Sequence, residues 1–267
     1  MNRFAKLLEK LLFTPSRNAK IIAMAEYFEN TPDPDRGFAL GAITRDLSLN
    51  NLKPTQLRTL TKSRVDPELF DMSYDYVGDM AETISLIWPK HTNHVLEKQR
   101  LPQLGELIYA LQTKSKIALQ TYVTELLDCA SVTERWAIIK MVTGGLRVGV
   151  SARLAKTSLA EYSGKDLTEI EKIWHGIAVP YTELFSWLDG LADRPCIAPD
   201  QIFHPLMLSN PIDAQHDFDC LNPVDYEAEW KWDGIRVQLL LNAFAISETA
   251  GKNPEKQAKT RVFSRSG

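Results

Sequence analysis

Glu227-Ala228-Glu229-Trp230-Lys231-Trp232-Asp233-Gly234-Ile235-Arg236 is the stretch on which the reading of this chain turns. Trp230, Trp232, Ile235 and the following Val237 give it the apolar character of a strand, and Asp233-Gly234 is a turn signal. Lys231 lies among them. Enclosed by such neighbours, an ammonium loses solvation, its pKa falls, and the amine becomes a nucleophile for a carbonyl or a phosphorus centre. The plainer alternative is a hairpin with Lys231 solvated on its outer side, because short motifs recur by chance.

Outward from this stretch, the texture of the chain changes. Residues 191–222 are rich in proline (Pro195, Pro199, Pro205, Pro211) and poor in helical period, which marks a domain boundary. Beyond it, Tyr226 to Leu241 is strand-like, Arg261 to Ser264 makes a second short strand, and the polar residues between them form a long hairpin connection.

Upstream of the boundary the pattern is helical. Phe4, Leu7, Leu8, Leu11 and Leu12 recur at helical spacing. Ser16 is placed to cap a second helix whose apolar side is Ile21, Ile22, Ala25 and Phe28. Residues 30–36 read as a loop, and Phe38 to Leu49 follow. Pro54 and Pro67 each open a helix at its first turn. Residues 78–86 form the next helix, with Val77, Met80, Ala81, Ile84 and Ile87 on one side, and residues 90–100 read as a surface loop. Further helices are expected over 101–111, 115–127, 133–142, 150–162, 166–174 and 181–188, the third of them opened by a capping box at Ser131-Val132-Thr133-Glu134.

Composition narrows the class. The chain has 267 residues, 44% hydrophobic and 24% charged, enough to bury a core. No apolar run approaches the ~18 residues that cross a bilayer. The start, Met1 to Phe13, is amphipathic and lacks the form of a secretory signal. Cys129, Cys196 and Cys220 are far apart, so neither a disulfide framework nor a Cys-x-x-Cys zinc site is expected, and a reduced cytoplasmic setting fits. His91 and His94 have no further ligand nearby. The net charge of −3 means that any nucleic-acid binding must rest on local basic patches.

One such patch is legible. Gly144-Gly145-Leu146-Arg147-Val148-Gly149-Val150 interrupts the helices, with Arg135, Lys140, Arg147, Arg153 and Lys156 around it and no acidic residue from Arg135 to Lys156. Glycines allow close backbone approach, and the next helix start offers N–H groups to an anion. The alternative is an ordinary helix-to-helix turn with solvated cations.

Lys231-Trp232-Asp233-Gly234-Ile235-Arg236, preceded by Glu229 and followed by Ser264-Arg265-Ser266-Gly267, resembles the nucleotidyltransferase motifs of ATP-dependent DNA ligases, whose Lys-x-Asp-Gly core is shared by mRNA-capping enzymes and RNA ligases. Gly145-Leu146-Arg147-Val148-Gly149 resembles the Leu-Arg-Ile-Gly turn in the all-helical DNA-binding domain of the same ligases, and Gly78-Asp79-Met80-Ala81-Glu82-Thr83 resembles another segment of that domain. Together the two halves are similar to a bacterial-type ATP-dependent DNA ligase.

The resemblance implies a mainly α chain: a helical DNA-binding domain over 1–195, a linker over 196–222, and an incomplete α/β nucleotidyltransferase (adenylation) domain with antiparallel strands over 223–267. It implies ATP and Mg²⁺ as cofactors and a monomer acting on nicked duplex DNA, away from membranes, in replication, repair or recombination at the bacterial nucleoid. Lys231 would carry a lysyl-AMP intermediate. Glu229, Arg236 and Arg265 would bind the nucleotide. Gly145, Leu146, Arg147, Gly149 and Arg153 would contact DNA, gripping phosphates without reading sequence. The family's later acidic and lysine motifs and its OB-fold domain do not occur in these 267 residues, so the chain is expected to be the N-terminal portion of a ligase, incomplete for ligation. The alternative is a non-catalytic duplex-DNA-binding module with a vestigial adenylation segment.

Overall fold

The computed structural model describes residues 1–49, 52–89, 101–198, 202, 204, 211–213, 216–219, 221–230, 232–241 and 260–264. Among these are twelve α-helices: α1 Asn2–Phe13, α2 Arg17–Asn30, α3 Asp35–Thr44, α4 Pro54–Lys62, α5 Pro67–Val77, α6 Met80–Ile87, α7 Leu104–Thr113, α8 Lys116–Cys129, α9 Val132–Val142, α10 Ala152–Ser163, α11 Leu167–Trp174 and α12 Thr182–Leu188. Two short strands follow, β1 Gln238–Leu241 and β2 Thr260–Phe263. The chain is mainly α. It divides into two compact units, one of residues 1–167 and 177–195, the other of 168–176 and 196–267.

Local chemistry sets the helix ends of the first unit. Ser16 accepts from the Ala19 amide at 3.3 Å and opens α2. Ser131 and Glu134 exchange capping bonds at the start of α9, as the sequence leads one to expect. Pro67 occupies the first turn of α5 behind the Asp66 cap, and Gly78 ends α5 in the left-handed region. Asp79 then caps α6 directly. The loop expected over 30–36 is shorter in the structure, because α3 begins at Asp35. The Asp35 side chain caps a different helix: its carboxylate accepts from the Leu104 and Gly105 amides at the start of α7, at 3.1 and 2.9 Å.

The buried side of α2 differs from the sequence expectation. It is Lys20, Ala23, Met24, Tyr27 and Phe28, whereas Ile22 is 52% exposed. The stripe is rotated by about one residue. The aromatic rings decide this: Phe28 packs on Phe185 at 5.5 Å between centroids and on Tyr162 at 6.4 Å, and Tyr27 packs on Phe4 at 6.4 Å. Large rings bury more area than an isoleucine, so the helix turns to bury them.

The helices of this unit pack in a continuous order, α6 on α9, α9 on α1, α1 on α2, α2 on α10, α10 on α3 and α3 on α7. Phe4, Leu8, Leu11, Met24, Phe28, Leu40, Ile84 and Phe185 lie in this core with almost no exposure.

In the second unit β1 and β2 pair antiparallel, Gln238 opposite Phe263 and Leu241 opposite Thr260. Phe263 is buried against the His175 ring, 5.4 Å between centroids. The long strand expected over 226–241 is confined to Gln238–Leu241. A strand extends only as far as its backbone groups are paired, and β2 offers four residues. Pro223–Asp225 form a 3₁₀ turn. The connection expected over 242–260 lies outside the described residues apart from Thr260, as do the whole loop over 90–100, with His91 and His94, and Cys220.

Candidate nucleic-acid interface

The turn between α9 and α10 is the best-built candidate surface of the first unit. It leaves α9 through tight hydrogen bonds: the Gly145 amide donates to the Lys140 carbonyl at 2.9 Å and the Gly144 amide to Met141 at 3.1 Å. The Leu52 amide donates to the Val142 carbonyl at 2.8 Å, tying the helix end to the chain ahead of α4. Gly144 takes φ +68°, a conformation that glycine adopts without a Cβ penalty.

Side chains then alternate. Leu146 and Val148 are 6% and 4% exposed, while Arg147 and Gly149 face solvent. Two apolar anchors thus hold one arginine outward between them. Ser151 closes the turn by accepting from the Leu154 amide at 3.2 Å and starts α10, on whose first turn Arg153 is exposed. Gly145 is half-buried. Of the five residues expected to meet DNA here, Arg147, Gly149 and Arg153 present themselves directly, and Leu146 has only its backbone to offer.

The other cations expected around the turn behave differently. Arg135 is buried and donates to the carbonyls of Leu127 at 2.7 Å and Trp88 at 3.4 Å. Burial holds its pKa below the ordinary arginine value. Lys156 is buried too. Lys140 pairs with Asp79. Arg135 and Lys156 are turned inward by their helices and Lys140 is paired, and sequence spacing alone did not separate them from Arg147 and Arg153.

The Lys140–Asp79 pair has a second consequence. One Asp79 oxygen caps α6 through the Glu82 amide at 3.0 Å, and the other accepts from Lys140 on α9. Burial pushes the Asp79 carboxyl up, but the Lys140 and Glu82 hydrogen bonds outweigh it and leave its pKa below the usual aspartate range. The segment 78–83 and the end of α9 that feeds the glycine turn are therefore joined by one ion pair. Beside it an open depression of about 240 Å³ is lined by Arg45, Lys140, Met141, Gly144 and Leu146. Arg45 is exposed at the end of α3 with φ +67°, an arrangement that no sequence signal marked.

A family model described as DNA ligase N terminus matches residues 1–160. The chain belongs to that family. Residues 1–160, which include the segment 78–83 and the turn 144–149, are thus the N-terminal domain of an ATP-dependent DNA ligase, and DNA is its partner. No curated protein matches the chain. Among the described residues no helix is long and apolar enough to cross a membrane.

Of the nucleotide-binding residues expected in the second unit, Glu229 and Arg236 are not drawn into a pocket. Glu229 and Arg236 are exposed, as are Trp230 at 84% and Trp232 at 85%. Lys231 and Arg265 lie outside the described residues. Among the described residues no group of three His, Cys, Asp or Glu side chains is placed to hold a metal ion.

Proposed function

We propose that this chain carries the duplex-gripping domain and the nucleophile segment of a bacterial-type ATP-dependent DNA ligase, organised as a helical domain over 1–195, a linker over 196–222 and part of an adenylation domain over 223–267. The observation that carries this reading is the turn at residues 144–149, which lies inside the family match and holds Arg147 outward between two buried side chains. A guanidinium presented outward in this way can donate in-plane hydrogen bonds to a phosphodiester. Contacts of that kind position a protein on duplex DNA without specifying sequence.

In the reaction proposed, the Lys231 amine attacks the α-phosphorus of ATP. A nitrogen–phosphorus bond forms, the bond to the bridging oxygen breaks, and pyrophosphate leaves. AMP then passes to the 5′-phosphate of a nick, and the 3′-hydroxyl displaces it to seal the strand. Glu229, Arg236 and Arg265 would hold the nucleotide. The direct test is covalent labelling of the full-length protein with ATP radiolabelled at the α-phosphate, in the presence of Mg²⁺. Lys231→Ala is expected to abolish labelling while leaving affinity for nicked duplex unchanged. Undiminished labelling would defeat the assignment of Lys231.

The exposure of Glu229, Trp230, Trp232 and Arg236 favours a second reading, a duplex-binding module without catalysis. Absence of labelling in the unaltered protein, with duplex binding intact, is the result this reading expects.

For the interface itself, Arg147→Ala is expected to weaken duplex binding about tenfold, the order of one charge-assisted hydrogen bond. The slope of log affinity against log salt should fall by about 0.9 for the lost phosphate contact. The loss should be equal for unrelated duplex sequences. A loss confined to one sequence would argue for base readout.

A further inference from the structure

Lys20 is a buried cation in an unfavourable place. It lies in the first turns of α2, the positive end of the helix dipole, and is 9% exposed. Its Nζ donates to the Val148 carbonyl at 2.8 Å and the Gly149 carbonyl at 3.2 Å, across 128 residues of sequence. Burying an ammonium costs free energy that an apolar residue in the same stripe would avoid. Two consecutive carbonyls of a surface turn are an unusual choice of partner.

The consequence lies in the peptide planes. In a trans peptide the C=O and the following N–H point in opposite directions. With the 148 and 149 carbonyls drawn inward to Lys20, the Gly149 and Val150 amides point away from it, on the side where Gly149 is exposed. Neither amide has a hydrogen-bond partner among the described residues. Successive outward N–H groups beside a guanidinium make an anion-binding surface. Gly149 is needed for the same reason. Its φ is +66°, and a Cβ there would come within 2.6 Å of Nζ.

We infer that Lys20 is a positioning residue for DNA binding: it fixes the carbonyls of the turn inward, and so aims the Gly149 and Val150 amides and the Arg147 side chain at a phosphodiester. This rests on the reading of that turn as the DNA-gripping surface. Lys20 need not touch DNA itself.

The test is a double-mutant cycle on the affinity of the full-length protein for nicked duplex, with Arg147→Ala and Lys20→Met. Each single change should weaken binding on the order of tenfold, and the pair should be little worse than either alone, because Arg147 is already misplaced in the Lys20 variant. If Lys20→Met does not fold, as judged by its thermal transition, Gly149→Ala takes its place. It lifts the turn off Lys20 with every charge retained, and the same non-additivity with Arg147→Ala is expected. Losses that multiply would mean that Lys20 acts through its own charge, and would overturn the inference. So would Lys20→Met and Gly149→Ala variants that bind as the unaltered protein does. If Arg147→Ala alone has no effect, the underlying assignment of the turn fails instead.

Discussion

Gly37→Ala is expected to destabilise the helical unit by roughly 3 kcal/mol, the upper end of the range for over-packing. Two effects of opposite sign meet at this residue. Gly37 lies inside α3, where alanine normally stabilises a helix by about 1 kcal/mol through lower backbone entropy in the unfolded chain. Here a Cβ would lie 1.5 Å from the Pro180 carbonyl oxygen and 2.6 Å from its carbon. Backbone cannot swing aside as a flexible side chain can. Either α3 or the segment ahead of α12 must move by more than an ångström, and α3 also packs on α10 and α7. Since α10 follows directly from the Arg147 turn, duplex affinity should fall together with the melting temperature. Urea unfolding followed by circular dichroism measures the effect. A variant as stable as the unaltered protein, or more so, would mean that the helix propensity gain wins and that the 37–180 contact is looser than described.

Much of this architecture was legible because short-range chemistry fixed it. Ser16, Pro67 and Ser131-Glu134 are helix-start signals that act within one turn, and each opens a helix in the structure. The glycine turn was legible as well, since a glycine cluster breaks the helical period wherever it occurs. What was not legible depended on distant partners. The stripe of α2 turns on rings contributed by residues 4, 162 and 185, which local spacing does not reveal, so Ile22 is exposed where periodicity expects it inside and Lys20 is buried. A lysine spaced three, four, seven and eight residues from Ala23, Met24, Tyr27 and Phe28 was the available signal. In the sequence the basic residues around the turn form one group. Only their burial separates Arg147 and Arg153, which face solvent, from Arg135 and Lys156, which do not. Downstream, the apolar residues around Lys231 have the period of a strand, but pairing extends only as far as β2, and that length is not written in residues 226–237.

Arg36→Met should cost about 3 kcal/mol, lower the melting temperature by about 10 °C, and raise the pH at which acid unfolding begins. Arg36 is buried and serves two carboxylates at once. Its Nε and Nη2 donate to Asp33 at 2.9 and 2.6 Å, and its Nη1 and Nη2 donate to Asp189 at 3.3 and 2.6 Å. Nη1 also donates to the Tyr162 hydroxyl at 3.0 Å, and that hydroxyl donates onward to Asp189. The guanidinium lies 4.4 Å from the Phe185 ring centroid, so α3, α10 and α12 converge on it. Methionine fills much of the volume but leaves two carboxylates without their cation, and that uncompensated charge carries most of the cost. Burial pushes the Asp189 carboxyl up, yet the hydrogen bonds from Arg36 and Tyr162 outweigh it and hold its pKa below the usual aspartate value. A carboxyl depressed in the folded state contributes stability above its unfolded pKa and loses it as pH falls through the folded one. In the unaltered protein that loss therefore falls below the usual aspartate range. In Arg36→Met the larger part of the depression is relieved, only the Tyr162 hydrogen bond still opposes burial, and protonation sets in at higher pH. Thermal melts from neutral pH down into the acid range below the usual aspartate values distinguish the cases: the two proteins should differ most near neutrality, and the difference should shrink as pH falls and Asp189 becomes protonated. A difference that stays constant across that range would show that Arg36 stabilises through packing on Phe185 and not through its two aspartates.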